Sequence, residues 1–269
     1  MTALTPRTII IDGIRLDNYA FLITSRNGWD SSAGLVGENS RVPGRDGEVW
    51  RAKDYGTGRV ILDLAVSGTD ADGVVPAGST QDKTLRANID TLLSIFGRRS
   101  GLLTVDKEME DGSVRRNYGE VGIVIAPEYI DGNAVALLTV ELVFPDPLWR
   151  ATSNTSATGT GSLTAFAGIT APISDAVITI TGPATNPRLT DSVSGGWIQY
   201  TGTLGAGVTW VINCATFSST VGASNAVATT TFNPGPRFFS LTPSALLTPS
   251  VTLSSGTLTS IVAAKRFIA

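Results

Sequence analysis

Four acidic residues form the densest group of side chains in the sequence that could do chemistry. They are Asp106, Glu108, Glu110 and Asp111. Two carboxylates at a suitable separation could serve as the acid and base of a glycoside hydrolase, and several together could bind a cation. Basic residues at 107, 115 and 116 are interspersed, and Asp111-Gly112 is a turn dipeptide. We therefore favour the solvated tip of a hairpin over a catalytic or cation site.

Other reactive residue types are scarce. Asp70-Ala-Asp-Gly73 begins like a calcium loop but lacks the later ligands and the closing Glu, so we predict a turn. The absence of histidine removes the usual zinc sites and the Ser-His and Cys-His nucleophile pairs. Cys214 is the single cysteine and is interpreted as an inert core thiol. We predict no catalytic site, no metal site, no cofactor and no enzymatic activity.

Aromatic residues in the C-terminal part suggest a different function. Trp197, Tyr200 and Trp210 lie in short strand-like runs, where exposed rings could stack on sugar rings. Aromatic residues also favour strands because they pack well in them. Core packing is the preferred interpretation, and Trp197 and Trp210 remain candidates for sugar stacking.

The N-terminal part has the pattern of a sheet with one helix. Thr8–Leu16 reads as two strands around an Asp12-Gly13 turn. Between 80 and 97, apolar residues at helical spacing follow a candidate N-cap at Thr80 or Asp82 and precede Gly97. Further strand patterns at 19–24, 59–68, 101–105, 118–126 and 134–144, with an Asp131-Gly-Asn turn, complete an antiparallel sheet. This combination predicts an α+β domain.

The C-terminal part has a different texture. Residues 151–161 are rich in Thr, Ser and Gly and are interpreted as a linker. Beyond them, runs rich in Val, Ile, Thr and aromatics recur between turn residues, which is typical of a β-sandwich or jelly roll. They begin at about 175, 196, 208, 237 and 250.

The distribution of charge also divides the chain. Of 20 basic and 23 acidic residues, only four basic and two acidic ones follow Arg150, so the two parts carry net charges of −5 and +2. We predict domains at 1–150 and 151–269. The overall charge of −3 gives no general attraction to nucleic acid or anionic membranes. Neither a signal peptide nor a membrane-spanning segment is expected.

Several motifs, in order, resemble the distal tail proteins of tailed phages, which are the ring-forming minor tail proteins of long non-contractile tails. The first is a loop with two turn dipeptides, Arg41-Val-Pro-Gly-Arg-Asp-Gly-Glu-Val-Trp50. The helix at 80–96 and Phe144-Pro-Asp-Pro-Leu-Trp149 match the family's single long helix and the end of its first domain. The sandwich segments that match are 178–187, 198–204, 210–213 and 238–243.

This resemblance implies a structural hub of a siphovirus tail tip, located in the virion and made in the host cytoplasm. The first domain would be a belt that forms a hexameric ring with a central channel, through which DNA passes without specific binding. The ring would join the tail tube protein to baseplate, tail-tip or fibre proteins. The galectin-like sandwich would lie outside, and Arg45 and Asp46 would make a subunit contact or a loop-fixing ion pair.

Two alternatives to the hub stay open. The sandwich could be a carbohydrate-binding adhesin that contacts a glycan on the host surface. A carboxylate hydrolase of cell-wall polymers would need two acids in a cleft, and the C-terminal part offers only Asp175 and Asp191.

Overall fold

The chain divides into two compact units in the computed structural model. The units are Met1–Trp149 with Ile268–Ala269, and Arg150–Phe267, so the division lies beside the predicted boundary after Arg150. The structure describes residues 8–29, 33–38, 40–41, 48–49, 54–130, 134–233 and 238–268. The predicted turn at 131–133 and the pair Arg45 and Asp46 lie outside these residues.

The N-terminal unit contains antiparallel strands and one long helix. Its strands are β1 (Ile9–Ile11), β2 (Ile14–Leu16), β3 (Phe21–Asn27), β4 (Leu35–Val36), β5 (Ser40–Arg41), β6 (Glu48–Val49), β7 (Asp54–Tyr55), β8 (Gly58–Ser67), β9 (Leu103–Glu108), β10 (Val114–Ile130) and β11 (Val135–Phe144). The predicted Asp12-Gly13 turn joins β1 and β2, and both residues have positive φ. The predicted α+β class is confirmed for this unit.

Strand β10 is long enough to pair with different strands along its length. Its first residues pair with β9, and β1 and β2 continue that side in the order β2-β1-β9-β10. Its later residues pair with β11, which continues through β8 to β3. The order β10-β11-β8-β3 forms a four-stranded antiparallel sheet, which the helix covers on one face.

The helix α1 (Gln81–Phe96) begins and ends at the predicted signals. The hydroxyl of Thr80 accepts a hydrogen bond from the backbone N–H of Lys83, which satisfies one of the free donors of the first turn. Gly97 ends the helix and donates to the carbonyl of Leu93. The buried side of the helix presents Leu85, Ile89, Leu92, Ile95 and Phe96, and β8 contacts it.

The C-terminal unit is a β-sandwich. Its strands are β12 (Trp149–Ala157), β13 (Gly161–Ser162), β14 (Val177–Thr181), β15 (Ala184–Thr185), β16 (Arg188–Asp191), β17 (Trp197–Tyr200), β18 (Thr203–Leu204), β19 (Thr209–Asn213), β20 (Ser218–Val221), β21 (Ser224–Asn225), β22 (Thr230–Phe232), β23 (Ser250–Leu253) and β24 (Thr257–Phe267). One sheet has the order β12-β24-β14-β19-β20-β21 and the other β13-β23-β16-β17-β22. A shared core contains inward side chains from both, such as Ile178, Trp210, Ile198 and Val251. The predicted sandwich is confirmed.

Two predictions about this unit are wrong. The predicted linker at 151–161 is largely strand β12, which lies beside the long strand β24. Its Thr and Ser residues tolerate an extended backbone, and the neighbouring strand completes its hydrogen bonds. The strand predicted from 237 is instead irregular at 238–240, followed by an isolated bridge between Leu241 and Ile173. Within the described ranges, the structure contains no helix long and apolar enough to span a membrane.

Candidate functional surface

The four-stranded sheet of the N-terminal unit has one covered face and one open face. Side chains alternate between the faces of a strand. On β8 the buried series is Val60, Leu62, Leu64 and Val66, and β11 adds the paired series from Ala136 to Phe144. The alternate residues of the same strands point to the other side, which is the open face.

Aliphatic side chains are concentrated on this open face. Across the four strands, Leu22 pairs with Ala65, Ala65 with Leu137, and Leu137 with Glu128, so these side chains form one row on the open face. The exposed fractions of the aliphatic residues are 50% for Leu22, 41% for Ile61, 58% for Ile123, 57% for Ile125 and 39% for Leu137. Summed over the face, these five side chains expose on the order of 400 Å² of aliphatic surface, although polar residues divide it.

Carboxylates interrupt the aliphatic residues of the open face. Asp63 accepts a hydrogen bond from the Thr139 hydroxyl at 2.6 Å, and Glu141 pairs with Arg59 at 3.0 Å between Oε1 and Nη1. Two more face residues, Glu120 and Glu128 on β10, are exposed.

The charge of this face is therefore strongly acidic. Among the described residues in register on it, there are four carboxylates and a single basic side chain, Arg59. Ionised carboxylates only accept hydrogen bonds, and the one guanidinium already has a carboxylate partner. A phosphate group approaching this face would meet repulsion and few donors.

Irregularities of β10 determine which of its residues reach the open face. Register shifts occur between Val121 and Ile123 and between Ile125 and Glu128, as expected of β-bulges. Gly122 lies in the first shift, and a Cβ there would stand 3.1 Å from a carboxylate oxygen of Glu141. The missing side chain thus leaves room for the Glu141–Arg59 pair.

The two tryptophans proposed for sugar stacking have different environments. Trp210 is fully buried in the sandwich core, and its indole N–H donates to the Ser219 hydroxyl at 2.8 Å. The sugar-stacking prediction for Trp210 is therefore wrong, since no face of its ring is accessible. Trp197 is half-buried, and the Arg188 guanidinium lies 4.2 Å from its ring centroid. One side of Trp197 is thus occupied by a cation–π contact.

The acidic cluster has the predicted form of a hairpin tip. Asp106 pairs with Arg116 through two hydrogen bonds of 2.7 and 2.8 Å, and this pairing raises the pKa of Arg116 above its ordinary value. Asp111 accepts from the hydroxyl and the N–H of Ser113, which lower the pKa of that exposed carboxyl. In the part of the chain that the structure describes, no cluster of His, Cys, Asp or Glu could hold a metal.

Lys107 in this hairpin differs from the predicted solvated residue. Its side chain is 1% exposed, and its ammonium lies 5.7 Å from the Trp29 ring and 5.8 Å from the Trp149 ring. The two rings pack edge to face at 5.2 Å. Strand alternation could have shown this, because Leu103, Val105 and Lys107 share one face of β9.

The remaining candidate reactive groups serve the fold. The Asp70 carboxylate accepts from the N–H groups of Asp72 and Val74, which makes the predicted turn. Asp175 pairs with Arg266 at 2.9 Å, and Asp191 is fully buried and capped by nearby N–H groups. Cys214 is buried, and burial raises the pKa of its thiol to about 12.

Comparison with known proteins identifies the fold. No protein-family profile and no curated protein matches the sequence. The crystal structure of phage SPP1 Dit (gp 19.1), described as a paradigm of the hub adsorption apparatus in phages infecting Gram-positive bacteria, superposes with a TM-score of 0.61. The alignment covers 98% of this chain and 100% of SPP1 Dit, at 16% identity. The chain has the fold of a phage Dit protein.

Phage baseplate structures are further neighbours. Two structures of the phage P2 baseplate in its activated conformation, with strontium and with calcium, match at TM-scores of 0.42. Their identities are 12% and 11%, and each match covers at least 97% of this chain. The superposition on SPP1 Dit, and not these weaker matches, confirms the predicted resemblance to distal tail proteins as a Dit fold that spans both units.

Proposed function

We propose that this protein is a structural hub of a phage tail tip and has no enzymatic activity. The observation that carries the proposal is the Dit fold, which extends over both units and leaves no segment of SPP1 Dit uncovered. The two acids of the C-terminal part that a carboxylate hydrolase would need, Asp175 and Asp191, are both engaged within the sandwich. The protein is then a component of the virion, made in the host cytoplasm.

We further propose that the N-terminal unit assembles as a six-membered ring, with the open sheet face as the channel wall. A closed ring repeats one heterologous contact and leaves one surface of each subunit directed to the axis. The open face suits that position because its carboxylates repel phosphates and its aliphatic side chains offer them no hydrogen bonds. DNA would pass along this wall without specific binding, as the acidic balance of the N-terminal part predicts.

In this arrangement the ring joins the tail tube protein to tail-tip or fibre proteins. The loop that contains Arg45 and Asp46 remains the predicted subunit contact. An exposed ion pair there would contribute about 0–1 kcal/mol, and more if it is buried between subunits. Reversing the charge of Arg45 is expected to weaken the ring.

Native mass spectrometry and negative-stain images of the purified protein test the ring, for which we expect six-fold particles. A monomer at all concentrations would refute it. The channel wall is tested by reversing Glu120 and Glu128 to lysine, which changes the wall by four charges per subunit. We expect an intact ring that retains duplex DNA at low salt, whereas the unmodified ring does not.

A control for the position of the charge reversal is Glu110→Lys, a change of two charges at the exposed hairpin tip. It changes the charge of the N-terminal unit away from the open face and is expected to leave DNA retention unchanged. Loss of the ring in the Glu120 and Glu128 variant, with normal thermal unfolding, would instead show that the open face is a subunit contact.

Binding of a host-surface glycan remains the second candidate function, and it now depends on Trp197. This ring is partly accessible and is held in place by Arg188. A glycan array with the unmodified protein and Trp197→Ala tests it. Binding that is lost in the variant would support an adhesin function, and no binding by the unmodified protein would end this candidate.

A further inference from the structure

The second sheet of the sandwich, β13-β23-β16-β17-β22, has an outer face opposite the core. On its strands Leu189, Ile198 and Val251 are buried in the core, so the residues that alternate with them point outward. Strand pairing arranges these outward residues in two adjacent rows. They are Arg188, Gln199 and Thr231 in one row, and Thr252, Thr190 and Trp197 in the other. We call these six residues the outer polar face.

Arg188 is held against Trp197 on this face. The two residues lie diagonally across the pairing of β16 with β17, and the guanidinium carbon of Arg188 is 4.2 Å from the ring centroid. This contact occupies one side of the indole and restrains the guanidinium plane. Arg188 is exposed, and within the described ranges its guanidinium forms no hydrogen bond and no ion pair. A prearranged set of N–H donors is therefore available to a ligand.

No acidic side chain of the C-terminal part is left to neutralise Arg188. The sequence after position 150 contains only Asp175 and Asp191, and this count includes the residues outside the described ranges. Asp175 is engaged in an ion pair, and Asp191 is fully buried beneath the N–H groups of its own turn. The other charged side chains of this part, Arg237 among them, are basic and can only add positive charge. This balance favours an anionic ligand.

The remaining side chains of the outer polar face indicate which kind of acid fits. Within the described ranges, the Gln199 amide and the three threonine hydroxyls form no hydrogen bond, and both kinds of group can donate and accept. A ligand with an acid group beside several hydroxyls would use them together with the guanidinium, and an acidic sugar has this chemistry. An acidic peptide would satisfy Arg188 but draws its affinity from apolar anchors. Trp197 is the one apolar ring of the outer polar face, and Arg188 already occupies one side of it.

We propose that the outer polar face binds an acidic glycan, with the acid group on Arg188 and sugar hydroxyls on Gln199 and the threonines. An arginine fork binds either a carboxylate or a phosphate through two N–H groups, so both acids fit. Trp197 is a positioning residue that holds the guanidinium in place, and the sugar does not stack on it. This inference rests on the second proposed function, binding of a host-surface glycan, and specifies the ligand.

A glycan array with the full-length protein tests the ligand class. The array carries neutral oligosaccharides and oligosaccharides that bear carboxylate or phosphate groups. Each acidic glycan is printed beside its matched neutral form, in which the carboxylate is methylated or the phosphate is removed. We expect binding to acidic glycans, and at least tenfold weaker binding to each matched neutral form, because the guanidinium then loses its charged partner.

Arg188→Gln tests the residue that binds the acid. We expect at least tenfold weaker binding of every acidic glycan and a melting temperature within a few degrees of the unmodified protein, since the side chain is exposed. Lys265→Gln is the matched control, because it removes one positive charge from the same unit outside the outer polar face, and it should leave binding unchanged. If the sugar instead stacks on Trp197, Arg188→Gln would uncover the ring and retain binding, which would refute the inference.

Trp197→Phe tests the positioning role. Phenylalanine retains a ring beside Arg188, so this variant should keep most of the binding that Trp197→Ala loses. Loss of binding in both variants at normal thermal stability would contradict a role that needs only an aromatic ring.

The outcomes separate this inference from the function on which it rests. If the unmodified protein binds no glycan, glycan binding and this inference both fail. If acidic glycans and their neutral forms bind equally, or only neutral glycans bind, glycan binding stands and the acidic ligand is overturned. Poly-glutamate is the probe for a protein ligand. Binding of poly-glutamate through Arg188, without binding of any glycan, would assign the outer polar face to an acidic protein segment and overturn the inference.

Discussion

Replacing Trp210 provides the sharpest test of the C-terminal core. The side chain is fully buried between the two sheets, and removing a buried Trp typically costs about 3–5 kcal/mol. We expect Trp210→Ala to lower the free energy of unfolding of this unit by about 4 kcal/mol and its melting temperature by about 15 °C. Trp197→Ala is the control, because loss of a half-buried ring and its exposed cation–π contact should cost about 1 kcal/mol.

Differential scanning calorimetry is the appropriate assay, since it does not depend on tryptophan fluorescence. Two transitions are expected if the units unfold separately, and only the one belonging to the C-terminal unit should shift. Unchanged unfolding in Trp210→Ala would refute its role in the core. Unchanged unfolding together with lost glycan binding would restore the sugar-stacking interpretation.

A hydrogen-bond chain behind Trp210 allows a finer measurement. The Trp210 indole donates to Ser219, whose hydroxyl shares a 2.8 Å hydrogen bond with Thr230, and Thr230 reaches the carbonyl of Ala226. Because Ser219 lies on β20 and Thr230 on β22, the chain connects the two sheets. Trp210→Phe and Ser219→Ala should each cost about 1–3 kcal/mol. Their double mutant should cost about 1 kcal/mol less than the sum, and strict additivity would contradict this coupling.

Two further predictions concern single contacts. Burial raises the pKa of the Cys214 thiol from 9.0 to about 12, so the unfolded state loses the thiol proton at lower pH than the folded state. The free energy of unfolding should therefore fall by up to about 1.4 kcal/mol per pH unit between these values. Urea unfolding of Cys214→Ala should lack this fall, and the same pH dependence in both proteins would contradict the prediction. A Cβ on Gly68 would lie 2.3 Å from the Gln81 carbonyl, so Gly68→Ala should lower the free energy of unfolding by about 2 kcal/mol. Gly34→Ala is the control and should cost about 0, because a Cβ there meets nothing within 4 Å. Equal melting temperatures of the two variants would refute the clash.

Local signals in the sequence were sufficient for the helix. Its cap at Thr80, its apolar spacing and its stop at Gly97 all lie within about 18 residues, and each acts on the neighbouring turn. The hairpin around Asp111 was equally local. Such elements can be predicted because the interactions that form them are close in sequence.

Strand β12 could not be predicted for the opposite reason. Its Thr, Ser and Asn residues have no apolar alternation, and six of its nine residues are half-buried or exposed polar ones. What makes it a strand is its neighbour β24, about 100 residues later in the chain. The same limit applied to Trp210 and Trp197, because alternation within a strand predicts two faces but not which face the second sheet covers.

The set of residues on the open face of the N-terminal sheet likewise depends on how distant strands pair. Asp63, Glu120, Glu128 and Glu141 are distant in sequence, and none belongs to a recognisable motif. Pairing through β8, β11 and the shifted β10 directs all four to one side. A one-residue slip of β10 would turn Ile123 and Ile125 towards the core face and Val124 outward. The two β-bulges therefore select Ile123 and Ile125 for this face and offset each other at Glu128. Because a Cβ at Gly122 would stand 3.1 Å from a carboxylate oxygen of Glu141, Gly122→Val should lower the melting temperature of the N-terminal unit, and an unchanged melting temperature would contradict this crowding.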